Sequence, residues 1–272
     1  MQVRHHKLEN ESALPRIQSN GINLYYEIHG TGQPLLFIHG LGSCVRNWEF
    51  QIPEFSKSHQ VITFDLRGHG QSDKPSGPYS LPMFAADAID LLKALGIDST
   101  HVVGISLGGA IAFQLALDAP GLVKTLTIVN SAPLFFADSF TSKVMLWQRQ
   151  ISLRLLGMKR MGQLRSRRLF TRPEQADLRR RFVERWSENN PRAYLAALQA
   201  MIDWNVTAQL SALHVPTLVV AADQDATPVS FKAAYAAKIP NAQLVVIPDS
   251  RHATPMERPQ QFNQTLKDFL DR

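Results

Sequence analysis

A single cysteine, Cys44, stands in 272 residues, so no internal disulfide can form, and CxxC redox or thiolate-metal chemistry has no second sulfur. No window approaches the ~18 apolar residues of a membrane span, and the first ten residues, MQVRHHKLEN, contain no apolar signal core. We therefore expect a soluble, cytoplasmic protein without an integral membrane segment. Histidines spaced as metal ligands are absent, as is the phosphate-loop pattern G-x-x-x-x-G-K-[ST], so we expect no metal, no other cofactor and no nucleic-acid partner. Internal repeats and low-complexity tracts are also missing.

What the chain does have is enough apolar material, 44% of its residues, to bury a sizeable core. Continuous apolar runs recur at Ile22–Ile28, Leu35–Ile38, Val61–Phe64, His101–Ile105, Thr125–Val129, Thr217–Ala221 and Leu244–Ile247. Runs that do not alternate with polar residues suit strands covered on both faces. Between them, Met83–Leu95, Leu107–Leu117, Phe231–Lys238 and Gln260–Leu270 carry apolar residues at helical spacing. Strands alternating with helices predict an α/β fold with a mostly parallel sheet.

The alternation stops between Pro133 and Leu213, where Val144, Trp147, Ile151, Leu155 and Met158 step by three or four. We read 133–213 as a helical insertion, and 1–132 together with 214–272 as one core domain. Charge marks the same segment. From Thr141 to Arg192 there are 14 Lys and Arg against 4 Asp and Glu, a balance of +10; the remainder has 15 against 19, or −4.

The segment Gly104-Ile-Ser-Leu-Gly108 places G-x-S-x-G between an apolar run and an Ala/Leu-rich helical stretch. A serine raised on a sharp strand-to-helix turn leaves no room for side chains two residues before and after it, which Gly104 and Gly108 satisfy. Ser106 is thus the candidate nucleophile. Its hydroxyl needs a base, and His252, in the polar loop after the last apolar run, is the best placed of nine histidines. A carboxylate to orient that base should come from the loop after Thr217–Ala221, which offers Asp223 and Asp225; either also suits a turn or a cap, and we prefer Asp225. Donors for a developing oxyanion are expected from the backbone N–H groups of Leu107, at a helix start, and Leu41, in the Gly-rich turn His39-Gly40-Leu41-Gly42.

Together with Asp65-Leu-Arg-Gly-His-Gly-Gln-Ser72 and Glu257-Arg-Pro259, these segments resemble the α/β-hydrolase superfamily, in particular its small soluble carboxylesterase and enol-lactonase branch. The resemblance runs from about Asn20 to the C-terminus. It implies an eight-stranded, mostly parallel sheet with helices on both faces and a helical cap inserted after strand six. It also implies Ser106 as nucleophile, Asp225 as acid and His252 as base, with Asp65–Ser72 a structural turn. Two positions depart from the pattern: members often have Gly where this chain has Ala222 and Arg251.

The implied activity is carboxylic ester hydrolysis through an acyl-enzyme, acting on a small-molecule ester. Enol-lactonase or acyl-carrier-protein methyl ester hydrolase is the runner-up; a cofactor-free perhydrolase and a non-catalytic ligand receptor are further alternatives. Phe135, Phe136, Trp147, Trp186 and Trp204 are the candidate pocket residues, each also suited to packing. The basic segment is either a solvated face or a site that attracts an anionic substrate or an acidic carrier protein.

Overall fold

The computed structural model describes residues 15–135, 139–202 and 204–272. Its strands are β1 (Arg16–Ser19), β2 (Ile22–His29), β3 (Gln33–Ile38), β4 (His59–Phe64), β5 (Thr100–Ile105), β6 (Val123–Val129), β7 (Thr217–Ala222) and β8 (Ala242–Ile247). They form one sheet in the order β1-β2-β4-β3-β5-β6-β7-β8. β1 and β2 pair antiparallel, as do β2 and β4, and every other pairing is parallel. The expected α/β-hydrolase architecture, with its eight-stranded and mostly parallel sheet, is present.

Helices are α1 (Ile52–Phe55), α2 (Leu81–Ala94), α3 (Leu107–Asp118), α4 (Ser139–Leu169), α5 (Ala176–Ser187), α6 (Pro191–Ala200), α7 (Val229–Ala236), α8 (Thr254–Glu257) and α9 (Pro259–Leu270). Their starts follow local chemistry. Ser80 caps α2 by accepting a hydrogen bond from Met83 N, and Asn190 caps α6 by accepting from the amides of Arg192 and Ala193, with Pro in the first turn of each helix.

The continuous apolar runs reflect burial on both faces of the sheet. Leu36, Ile38, Val102, Leu126, Ile128 and Val219 pack with α2 and α3 residues such as Phe84, Leu91 and Ile111. Their neighbours Leu35, Phe37, Val103, Val129, Leu218 and Val220 pack on the other face with Trp48, Phe55, Phe262 and Leu266. Strand periodicity of two sends successive side chains to opposite sides, so an unbroken run feeds two cores. β1 escaped the sequence reading because it is a four-residue edge strand with mostly uncovered side chains, which carries no apolar run.

Helices α4, α5 and α6 fill the stretch between β6 and β7. They share a separate apolar cluster containing Leu153, Met161, Phe170, Phe182, Trp186 and Tyr194. The stepped residues expected to lie on one helix do fall in α4, but the helix breaks at Gly157, whose φ of 68° and ψ of 172° are not helical. Among the described residues, no helix is long and apolar enough to cross a membrane.

Candidate active site

β5 ends at Ile105, and the chain reverses into α3 through Ser106, which has φ 56° and ψ −119°. A non-glycine residue held there is strained, and the surrounding packing must enforce it. That packing depends on flanking glycines. A Cβ on Gly104 would lie 2.2 Å from the Gly108 carbonyl oxygen, and one on Gly108 would lie 2.1 Å from that of Ile38. Ser106 N donates to Val129 O at 3.0 Å, and Ser131 Oγ donates to Ser106 O at 2.6 Å, fixing the turn from the β6 side.

The imidazole of His252 meets this serine from 146 residues further along the chain. His252 Nε2 lies 2.9 Å from Ser106 Oγ, and Nδ1 lies 2.9 Å from Asp225 Oδ1. Asp225 is fully covered, and its second oxygen accepts a hydrogen bond from Lys232 Nζ at 2.6 Å. Burial by itself pushes the Asp225 carboxyl up, but the hydrogen bond and charge of His252, then those of Lys232, outweigh it and hold the group below the ordinary carboxylate value. Asp223, the alternative acid, is occupied elsewhere: its carboxylate accepts from the amides of Asp249 and Ser250, each at 3.0 Å, closing the turn that leads to His252.

Two residues that the sequence reading passed over hold this arrangement together. Asn130, at φ 44° just beyond β6, accepts from Ala222 N at 2.8 Å. It donates to the carbonyls of Arg251 and His252 at 3.1 Å and to Thr254 Oγ1 at 2.7 Å. One amide side chain thus ties the end of β7 to the histidine loop. Lys232, on α7, is wholly buried and also donates to Thr227 O at 2.8 Å. The available signals were slight: a polar residue directly after an apolar run, and a lysine on an otherwise apolar helix.

The turn after β3 lies against the serine. A Cβ on Gly40 would lie 3.3 Å from Ser106 Cβ. His39 anchors this turn as a neutral imidazole, its Nδ1–H donating to Gly40 O at 2.9 Å while Nε2 accepts from Leu66 N at 3.0 Å. Burial pushes its pKa down to about 4, which keeps it neutral. Leu41 lies in this turn, and Leu107 is the first residue of α3, where backbone N–H groups have no intrahelical acceptor. A cavity of about 60 Å³ is bounded by Gly40, Leu41, Trp48, Ser106, Trp186 and His252.

Of the five aromatic candidates, Trp186 lines this cavity, stacked on Phe182 at 5.2 Å between ring centroids. Trp147, Trp204 and Phe135 require correction. Trp147 is 61% exposed and borders no described cavity, because helical spacing fixes which residues share a face but not where that face turns. Trp204 belongs to the core beside α3, where its Nε1 donates to Gln114 Oε1 at 2.8 Å; Phe135 packs against it at 6.2 Å. Phe136 lies outside the described residues.

The profile of a family described as alpha/beta hydrolase fold matches residues 33–259. The chain belongs to the α/β-hydrolase family. This hydrolase-family chain is 32% identical over 264 residues to a putative carbamate hydrolase, RutD, of Azorhizobium caulinodans, covering 94% of this chain and 98% of that protein. It is 30% identical over 244 residues to 3-oxoadipate enol-lactonase 2 of Acinetobacter baylyi, covering 88% of each. Among solved structures, a thermophilic esterase from Thermogutta terrifontis aligns with a TM-score of 0.87 and 28% identity over 94% of this chain and 98% of its own.

Proposed function

We propose that this α/β-hydrolase cleaves carboxylic esters through an acyl-enzyme formed on Ser106. The observation that carries the reading is the continuous chain Ser106–His252–Asp225, with 2.9 Å at each link. His252 Nε2 removes the Ser106 proton as Oγ attacks the ester carbonyl, and Asp225 holds the Nδ1–H tautomer and favours the imidazolium that results. The amides of Leu41 and Leu107 receive the oxyanion, aided by the positive end of the α3 dipole. His252 then returns the proton to the departing alcohol. Water, activated by the same imidazole, cleaves the acyl-enzyme and releases the acid.

The names of the relatives support acyl transfer of the same type, an enol-lactone being an internal ester. The experiment is hydrolysis of 4-nitrophenyl esters of increasing acyl length, comparing the parent with Ser106→Ala. We expect turnover by the parent and a loss of at least about 10³-fold in the variant at unchanged melting temperature. Equal turnover by both proteins would eliminate Ser106 as the nucleophile.

A further inference from the structure

Next to the small cavity lies one of about 730 Å³, and Arg165, Leu169 and His252 belong to the walls of both. Four arginines line the larger space: Arg149, Arg165 and Arg168 from α4, and Arg251 immediately before His252. Asp225, its single acidic wall residue among the described residues, already has one carboxylate oxygen on His252 and the other on Lys232, so it offsets little of that charge. Among the described residues none of the four arginines forms an ion pair, whereas Arg180, Arg181 and Arg185 of α5 are paired with Asp177 or Glu49.

Four like charges around one concavity repel one another and focus a positive potential into it. Burial presses the Arg165 guanidinium below the ordinary value, and Arg149 and Arg168 press the same way against the opposing pull of Tyr194 and Asp225. It stays charged at neutral pH nonetheless. Its guanidinium carbon lies 5.3 Å from the centre of the Trp186 ring, so the side chain is braced at the junction of the two cavities. An incoming anion would relieve the mutual repulsion, and a guanidinium fork matches a carboxylate or phosphate with two hydrogen bonds.

We propose that Arg149, Arg165, Arg168 and Arg251 form an anion subsite, which takes a carboxylate or phosphate on the part of the substrate remote from the scissile bond. The role in catalysis rests on the ester-hydrolase reading; the capture of an anion does not. The intact protein is titrated with suberate dianion and, separately, with inorganic phosphate at constant ionic strength, following the fluorescence of Trp186 against a Trp186→Phe control. A saturable signal is expected in the parent, with at least tenfold weaker binding in Arg165→Gln and an intermediate result in Arg165→Lys. Tighter suberate identifies a carboxylate and tighter phosphate a phosphate. Titrations that chloride reproduces, or that are identical in Arg165→Gln and in Arg149→Gln/Arg168→Gln, overturn the subsite.

A kinetic arm compares 4-nitrophenyl hydrogen suberate with 4-nitrophenyl octanoate. The ratio of their kcat/KM values should be about ten or more in the parent, fall toward one in Arg165→Gln, and shrink with added salt. A parent ratio of one or below also overturns the proposal. Failure to hydrolyse either ester removes the ester reading, while the fluorescence titration still decides the subsite.

Discussion

The sheet body and helix α4 treat charge in opposite ways. In the body, buried cations meet buried anions: Arg67 lies on Asp87, and Lys232 on Asp225, with both partners of each pair almost wholly covered. Along α4 there are eight basic residues and no acidic one, and among the described residues its arginines that line the large cavity form no ion pair. Buried pairs contribute modest net stability yet are costly to break, so they serve to hold one geometry. Cations around a hollow without such partners are available to a molecule from outside. The body carries the Ser106–His252–Asp225 chain, and α4 carries three arginines of the proposed anion subsite.

The strongest way to break this comparison is at the acid. Asp225→Asn keeps the shape but removes the charge that orients His252, and kcat for 4-nitrophenyl esters should fall by about 10³-fold or more. Asp223→Asn touches only the turn amides and should leave kcat within a few-fold. Comparable losses in the two variants would show that the turn, rather than the charge, matters.

Lys232→Met should destabilise the fold by about 3–5 kcal/mol, since it strands the Asp225 carboxylate without its buried partner. Lys232→Arg keeps the charge beside Asp225 and should recover much of that stability in urea unfolding; equal losses in the two variants would show that the volume of the lysine, rather than its charge, is what matters.

Acid separates the two regions more gently. His39 is neutral in the folded body with its pKa pushed down to about 4, against about 6.5 in the unfolded chain. Between those values the unfolded chain binds a proton that the folded protein refuses, so stability is complete above pH 6.5 and falls as pH drops. The loss amounts to about 3 kcal/mol by pH 4. His69, pushed to about 3, adds in the same direction. Urea unfolding at pH 7 and pH 4 should show a smaller difference for His39→Asn than for the parent; equal differences would clear His39 of any part in acid sensitivity.

Much of the scaffold was legible because it obeys local rules. Seven apolar runs became β2 to β8, and the helical stretches lie within about two residues of α2, α3, α7 and α9. The serine turn was legible for a steric reason, since only glycines fit at 104 and 108. The acid was narrowed to two aspartates with Asp225 preferred, and Asp223 stayed open because both follow the same strand and differ only in which way their side chains point. The aromatic pocket was misread at Trp147 and Trp204 for a related reason: composition marks a side chain as able to pack but not what it packs against. Asn130 and Lys232 left almost no trace, because their partners lie up to 124 residues away or on a neighbouring element.

Sequence alone determined the family, the order of β2 to β8 with α2, α3, α7 and α9 between and after them, and the identity of the residue types that meet, because period, turn sterics and motif order are written along the chain. Only the tertiary structure decided that Asp225 rather than Asp223 faces His252 and that Lys232 closes the other side of that carboxylate. It alone gathered three arginines of α4 with Arg251 around one hollow. Those facts depend on the directions in which side chains from distant segments converge, and direction in space is fixed only when the whole core packs.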